Sequence, residues 1–190
     1  MIDTLDTPKG ELKWAGHFSD EVSWKKTYHI AKHAAGTPYL HSFQYKIIQH
    51  ILCTNVLLQK IEIKQHDTCD LCKNDKETII HLFVQCCKVI DFWKDLETWL
   101  RRDPETAVSL DPKTILFGSP SGNKAVNQII IMAKNFIYKC KFKTQFPKLD
   151  LFICNLRYHI AVEKYTAQIS DSIETFTTKW SNIRSLNGWP

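Results

Sequence analysis

Residues Cys69 to Cys87 read CDLCKNDKETIIHLFVQCC, with a Cys-x2-Cys pair, eight residues to His81, and four more to Cys86. The spacing matters because zinc takes four nitrogen or sulfur ligands in a tetrahedron. Two intervening residues let the Cys69 and Cys72 thiolates converge on one ion. His81-x4-Cys86 suits a helix that presents the histidine near its end and a chain that folds back with the cysteine. Cys69, Cys72, His81 and Cys86 form a closed Cys3His set with no position left for a reacting water, so the expectation is one structural Zn2+ and no catalytic metal. Cys87, adjacent in the chain, is an alternative fourth ligand, and His66 is another competitor. The competing view, of free thiols beside an ordinary helical histidine, is weakened by the extra His and Cys within 14 residues of Cys72. A thioredoxin-type motif needs a strand before the cysteine pair, and here polar Gln65-His66-Asp67-Thr68 precede it.

The rest of the chain bounds what such a site serves. Its 190 residues are 44% hydrophobic and 12% aromatic with only 7 prolines and 6 glycines, enough for a folded core. The longest apolar run, Ile129 to Ala133, is too short to span a bilayer. A polar N-terminus with Asp3, Asp6 and Glu11 argues against a secretory signal. The expectation is an intracellular protein, nuclear or cytoplasmic and not secreted, with no membrane partner. In a reducing compartment its seven cysteines are ligands or thiols in preference to disulfides.

Helical periodicity dominates and strand signals are weak. Ser19-Asp20-Glu21 reads as a helix start leading through Trp24, Tyr28 and Ala31 to a stop at Gly36, before Thr37-Pro38. Ser42 opens a second helix that buries Phe43, Ile47, Ile48, Ile51 and Leu52, with Gln44 on the other side. Thr54-Asn55 breaks that helix or caps a short continuation. Glu77 to Phe83 starts the helix that carries His81, and Val89 to Leu100 is amphipathic. Asp103-Pro104 and Asp111-Pro112 read as loops, and Gly118 to Asn123 as a linker. A long helix covers Lys124 to Lys143, and a last one runs from Leu149 past Ile173 to Phe176, ending before Asn187-Gly188. The fold class expected is mainly α, a helical domain built around a small Cys3His zinc knuckle with little or no β. Three segments are expected, 1–66, 67–118 and 119–190, sharing one compact domain or dividing into more.

Charge is unevenly spread: net +2 over residues 1–66, −3 over 67–118 and +6 over 119–190. The excess of positive charge that attracts a polyanion therefore lies in the last third. There Lys134, Tyr138, Lys139, Lys141, Phe142, Lys143 and Lys148 interleave cations with aromatics, a pattern for neutralising phosphates and stacking on unpaired bases. Around the cysteines, Asp67, Asp70, Asp75 and Glu77 would repel a phosphate backbone. No nucleophile–base pair or carboxylate pair for nucleotidyl transfer stands out, so the chain reads as non-catalytic.

The block CDLCKNDKETIIHLFVQC followed by Phe92-Trp93 resembles the zinc-binding segment downstream of the polymerase in non-LTR (LINE-type) retrotransposon reverse transcriptases. The likeness rests on Cys69, Cys72, Glu77-Thr78, His81-Leu82-Phe83, Cys86 and Phe92-Trp93. It extends upstream through Ser42–Lys60 and, more loosely, Leu12–Trp14 and Trp24. Downstream it takes in Ile115–Gly118, Ile129–Lys141 and Glu163–Tyr165. Cys87 departs from it, since the family usually has proline there. The resemblance implies an accessory C-terminal domain that binds RNA during reverse transcription, partnered by the upstream reverse transcriptase domain. It favours Cys86 as the fourth ligand. The alternative is a zinc-stabilised interaction module that docks through side chains around Trp93 and Trp99 on the polymerase domain or a host partner.

Overall fold

The computed structural model describes residues 7–18, 22–143, 145–181 and 183. The expected helix start at Ser19–Glu21 and the terminus at Asn187-Gly188 lie outside them. In order come α1 (Lys9–Ala15), α2 (Trp24–Ala34), α3 (Pro38–Ile48) and α4 (Asn55–Lys60). A π-helical turn at His81–Gln85 follows, then α5 (Ile90–Leu100) and a 3-10 turn at Pro104–Thr106. The chain ends through α6 (Pro112–Phe117), α7 (Lys124–Lys143), α8 (Leu149–Ile169) and α9 (Ile173–Trp180). Among the described residues the β content is one antiparallel bridge, Thr68 with Lys76. The fold is helical around a small knuckle, as its periodicity predicts.

Pro38 and Pro112, read from sequence as following a helix stop and lying in a loop, each open a helix. Thr37 accepts a hydrogen bond from the Leu40 N–H (3.3 Å) and Pro38 opens α3, while Asp111 accepts from Thr114 N–H (2.9 Å) and Pro112 opens α6. Proline lacks only an N–H that the first helical turn leaves unpaired anyway, and its φ already suits the helix. Ser42 thus lies inside α3, and the break before it is at Gly36, as expected, at φ +76°. Gly118 to Asn123 is not a loose linker. Asn127 receives the Ser119 N–H at 2.7 Å and donates to Ser119 O at 2.9 Å, and Asn123 caps Val126 N–H at 2.8 Å. The last long helix is interrupted, because Asp171 turns at φ +49° between α8 and α9.

Helix α7 is the axis of the molecule. It is buried on nearly all sides, and α2, α3, α8 and α9 pack around it. One continuous apolar core links Trp14 and the α2–α3 pair to Leu82, Phe83 and Trp93 beside the knuckle, and on to Phe152, Leu156 and Ile183. Trp14 is wholly buried, donates to Ile48 O at 2.9 Å and meets Phe117 edge-on. The helix it sits on approaches α3 so closely that a Cβ on Gly10 would lie 2.6 Å from Gln49 Cα. Trp93 and Trp99, expected to be available for docking, are both buried, and Trp93 donates to Phe83 O at 2.7 Å. They belong to the core, since indole burial of this size dominates packing energy. Among the described residues no helix is long and apolar enough to cross a membrane.

Candidate metal centre

The knuckle forms because the chain reverses twice within 20 residues. Glu77 N–H bonds to Asp67 O at 2.8 Å and Cys69 N–H to Asp75 O at 2.7 Å, which closes a narrow hairpin. Lys73, at φ +60°, turns the chain between its two arms. Thr78 Oγ1 then accepts the His81 N–H at 3.0 Å and starts the helical segment. In an α-helix, at 100° per residue, positions 81 and 86 would sit about 140° apart around the axis. The chain widens to a π turn instead, with Cys86 N–H bonded to His81 O at 2.8 Å, and brings both side chains to the same side. Single π turns of this kind recur at functional sites.

As a result one ligand atom from each of Cys69, Cys72, His81 and Cys86 lies within 4.8 Å of the others. Cys69 Sγ and Cys86 Sγ are 3.9 Å apart, and Cys72 Sγ is 3.4 Å from His81 Nε2. A tetrahedral zinc with Zn–S of about 2.3 Å and Zn–N of about 2.0 Å has S–S edges of about 3.8 Å and S–N edges of about 3.5 Å. The donor set therefore fits one zinc in type, number and spacing. Cys69 and Cys86 are fully buried, His81 is nearly so, and Cys72 forms the rim at 9% exposure. Cys87 and His66, the alternative ligands, are exposed and outside the group.

The electrostatics of the group favour a cation. Cys69 and Cys86 titrate together: the contact with Cys86 holds the Cys69 thiol down to about 4 against the effect of burial, and backbone N–H groups of Cys72 and Leu71 assist. The same contact, with burial, pushes Cys86 far up. A divalent ion between the sulfurs takes the place of the thiol proton and draws both to thiolates. With Nε2 turned to the sulfurs, His81 presents Nδ1 towards the exposed Asp75, whose Oδ2 lies 4.0 Å away.

Behind the ligands sits a residue pair that the spacing arguments above do not assign. Glu77 and Lys141 are both completely buried and hydrogen-bonded to each other. Glu77 also accepts the Asn55 N–H at 2.9 Å and the Asp70 N–H at 3.1 Å, while Lys141 donates to Cys53 O at 3.3 Å. This pair joins the knuckle to α4 and α7. Its signal was present in the sequence, because Lys134 and Lys141 share a 4-3-4 spacing with Ile130 and Ile137 and so fall on a buried stripe of α7.

The expected nucleic-acid residues separate accordingly. Lys141 is committed to Glu77, and Lys134 is wholly buried, donating to Gln44 Oε1 at 2.5 Å and Leu116 O at 2.7 Å. Neither presents its ammonium to a phosphate, so both leave the proposed patch. Gln44, placed outside by its polarity, is buried because it completes this network and bonds to Leu116 O at 2.8 Å. Tyr138 is half-buried with its hydroxyl on Cys53 O at 3.1 Å, while Lys139, Lys143 and Lys148 are exposed. The acidic knuckle is also largely neutralised. Asp67 pairs with Lys76 (3.0 Å), Asp70 with Lys64 (2.7 Å) and Glu77 with Lys141, which leaves Asp75 the most exposed of the four acids.

Residues 14–93 match the family model described as zinc-binding in reverse transcriptase. The match spans α1 through the start of α5 and encloses the four ligands. This part of the chain is similar to zinc-binding segments of reverse transcriptases, and it carries a Cys3His group placed to hold one zinc ion.

Proposed function

We propose that the chain is a non-catalytic accessory domain of a LINE-type reverse transcriptase that holds RNA, with zinc as a structural brace. The observation that carries this reading is the buried Cys3His group set inside the matched segment, whose four donors fill a tetrahedral site. Bound zinc supplies a cross-link of four strong bonds between the hairpin and the π turn. The protein's own part is to orient the ligands through Thr78 and the hairpin hydrogen bonds, and to carry that rigidity through Glu77 and Lys141 into α7.

A surface suited to RNA lies at the far end of α7. Lys139, Lys143 and Lys148 are exposed there, and so are Phe142 and Phe146, at 63% and 52%. Lys88 from the knuckle side stands over the Phe146 ring at 5.1 Å. Exposed rings beside lysines are the combination that stacks unpaired bases while neutralising the backbone.

The test is an RNA titration at several salt concentrations, comparing wild type with Lys139→Glu/Lys143→Glu/Lys148→Glu. Each lost phosphate contact lowers the slope of log K against log salt by about 0.7 on a single strand, so the triple variant's slope falls by about 2. Affinity and slope that match wild type would remove this surface from the reading.

A further inference from the structure

Helix α8 carries a feature that neither the zinc group nor the α7 surface uses. Leu151, Asn155, Tyr158, Val162, Tyr165 and Ile169 recur at alternating intervals of four and three residues along nearly its whole length. That is a period of 3.5, the repeat of a coiled-coil seam. The side of α8 facing the core is a different one, through Phe152, Leu156 and Ala167. At 100° per residue the two stripes lie about 140° apart.

The seam is open to solvent. Leu151 is 54% exposed, Tyr158 66%, Val162 46%, Tyr165 65% and Ile169 68%. Isolated apolar side chains on a surface are ordinary, whereas a continuous stripe along a 21-residue helix marks an interaction face.

We propose that this face pairs with the same face of a second copy of the chain, as a short parallel two-stranded coiled coil. The register identifies the occupant. With Leu151, Tyr158 and Tyr165 at the d positions, the a positions hold Asn155, Val162 and Ile169. β-Branched residues at a favour two parallel strands, and a single asparagine at a fixes register by pairing with its own copy. The flanking Cys154, Ala161, Gln168, His159 and Thr166 include no carboxylate, lysine or arginine, so no fixed like charges face each other across the pair. The five apolar side chains expose on the order of 600 Å² per copy, judged from typical side-chain areas. A pair then buries on the order of 1,200 Å², the lower end of a specific interface. The dimer is accordingly weak and concentration-dependent. Because the seam lies away from the core face, the two bodies project to opposite sides. This pairing is independent of RNA binding.

Sedimentation equilibrium of the zinc-loaded full chain, from about 1 to about 100 μM, is the test. The expected mass rises from 22.2 kDa towards twice that value. Val162→Glu, at a solvent-facing position, keeps zinc content and helical signal but stays monomeric throughout, a loss of at least about 100-fold in association. Asn155→Val removes the one polar a position and tightens association by about tenfold or more. In a background with Cys53, Cys87 and Cys154 changed to Ser, Val162→Cys cross-links to its own copy on mild oxidation, as the parallel register requires. Wild type that remains monomeric over the range overturns the proposal, even if the face captures RNA or another protein. So does a dimer that survives Val162→Glu.

Discussion

Lys134 shows how one residue's surroundings outweigh its chemical type. Burial without a carboxylate partner pushes its ammonium well below the usual lysine range. Its hydrogen bonds go to a side-chain amide and a backbone carbonyl, both neutral acceptors. Between the lowered folded value and about 10.5, the unfolded chain binds a proton that the folded chain does not. Stability contributed at this site therefore rises with pH across that window, up to about 10.5. Urea unfolding of wild type and Lys134→Met at pH 7 and pH 10 is expected to show wild type gaining on the variant as pH rises. A difference between the two that stays constant with pH would count against a neutral buried amine. The candidate zinc ligands differ from Lys134 in that their spacing marked the cluster, with Cys87 and His66 as competitors that the resemblance and then the structure set aside. Cys69 and Cys72 converge through their own turn, and His81 and Cys86 join them through the π turn, whereas Lys134 read as a surface cation until its acceptors on α3 and α6 were seen.

At the scale of elements, the link between the knuckle and α7 is the Glu77–Lys141 pair. A buried ion pair contributes little net stability against an apolar replacement, but breaking it on one side strands a charge. Glu77→Gln leaves Lys141 buried without its counter-charge and is expected to cost about 3–5 kcal/mol. The double variant Glu77→Gln/Lys141→Met recovers most of that loss, because no unpaired ammonium remains. A double-mutant cycle by chemical denaturation measures this, and additive losses would mean that the two side chains act independently. Helix existence was legible from periodicity for α2, α3, α5 and α7. Helix starts at Pro38 and Pro112 were not, because a proline that ends one helix and a proline that opens the next look alike without the capping bond of Thr37 or Asp111. The π turn was equally hidden, since it differs from an α turn only in which carbonyl Cys86 N–H reaches.

For the molecule as a whole, one core runs from Trp14 to Ile183 past the knuckle. Leu82, Phe83 and the buried ligand thiols are part of it, so metal loss is not confined to a peripheral loop. We expect purified protein to hold about one zinc per chain and to unfold in a single transition followed alike by near- and far-UV circular dichroism. Chelation, or Cys72→Ala, should lower that whole transition by about 10 °C or more, since several kcal/mol of metal-coupled folding energy is lost and each is worth about 2–4 °C at this size. A separate transition that ignores zinc would show that the knuckle melts apart from the helices.

The sequence by itself determined the helical class, the candidate Cys-His cluster and the likeness of residues 14–93 to reverse transcriptase zinc-binding segments. These rest on local quantities: a 3.6-residue period, a Cys-x2-Cys turn and a short run of characteristic side chains. The spacing places Lys134 and Lys141 on the apolar stripe of α7, but only the tertiary structure decided what receives them. For Lys134 it is Gln44 of α3 and Leu116 of α6, and for Lys141 it is Glu77 of the knuckle and the Cys53 carbonyl. A polar group's role depends on whether burial gives it a partner, and that partner can lie 64 residues away, as Glu77 does from Lys141.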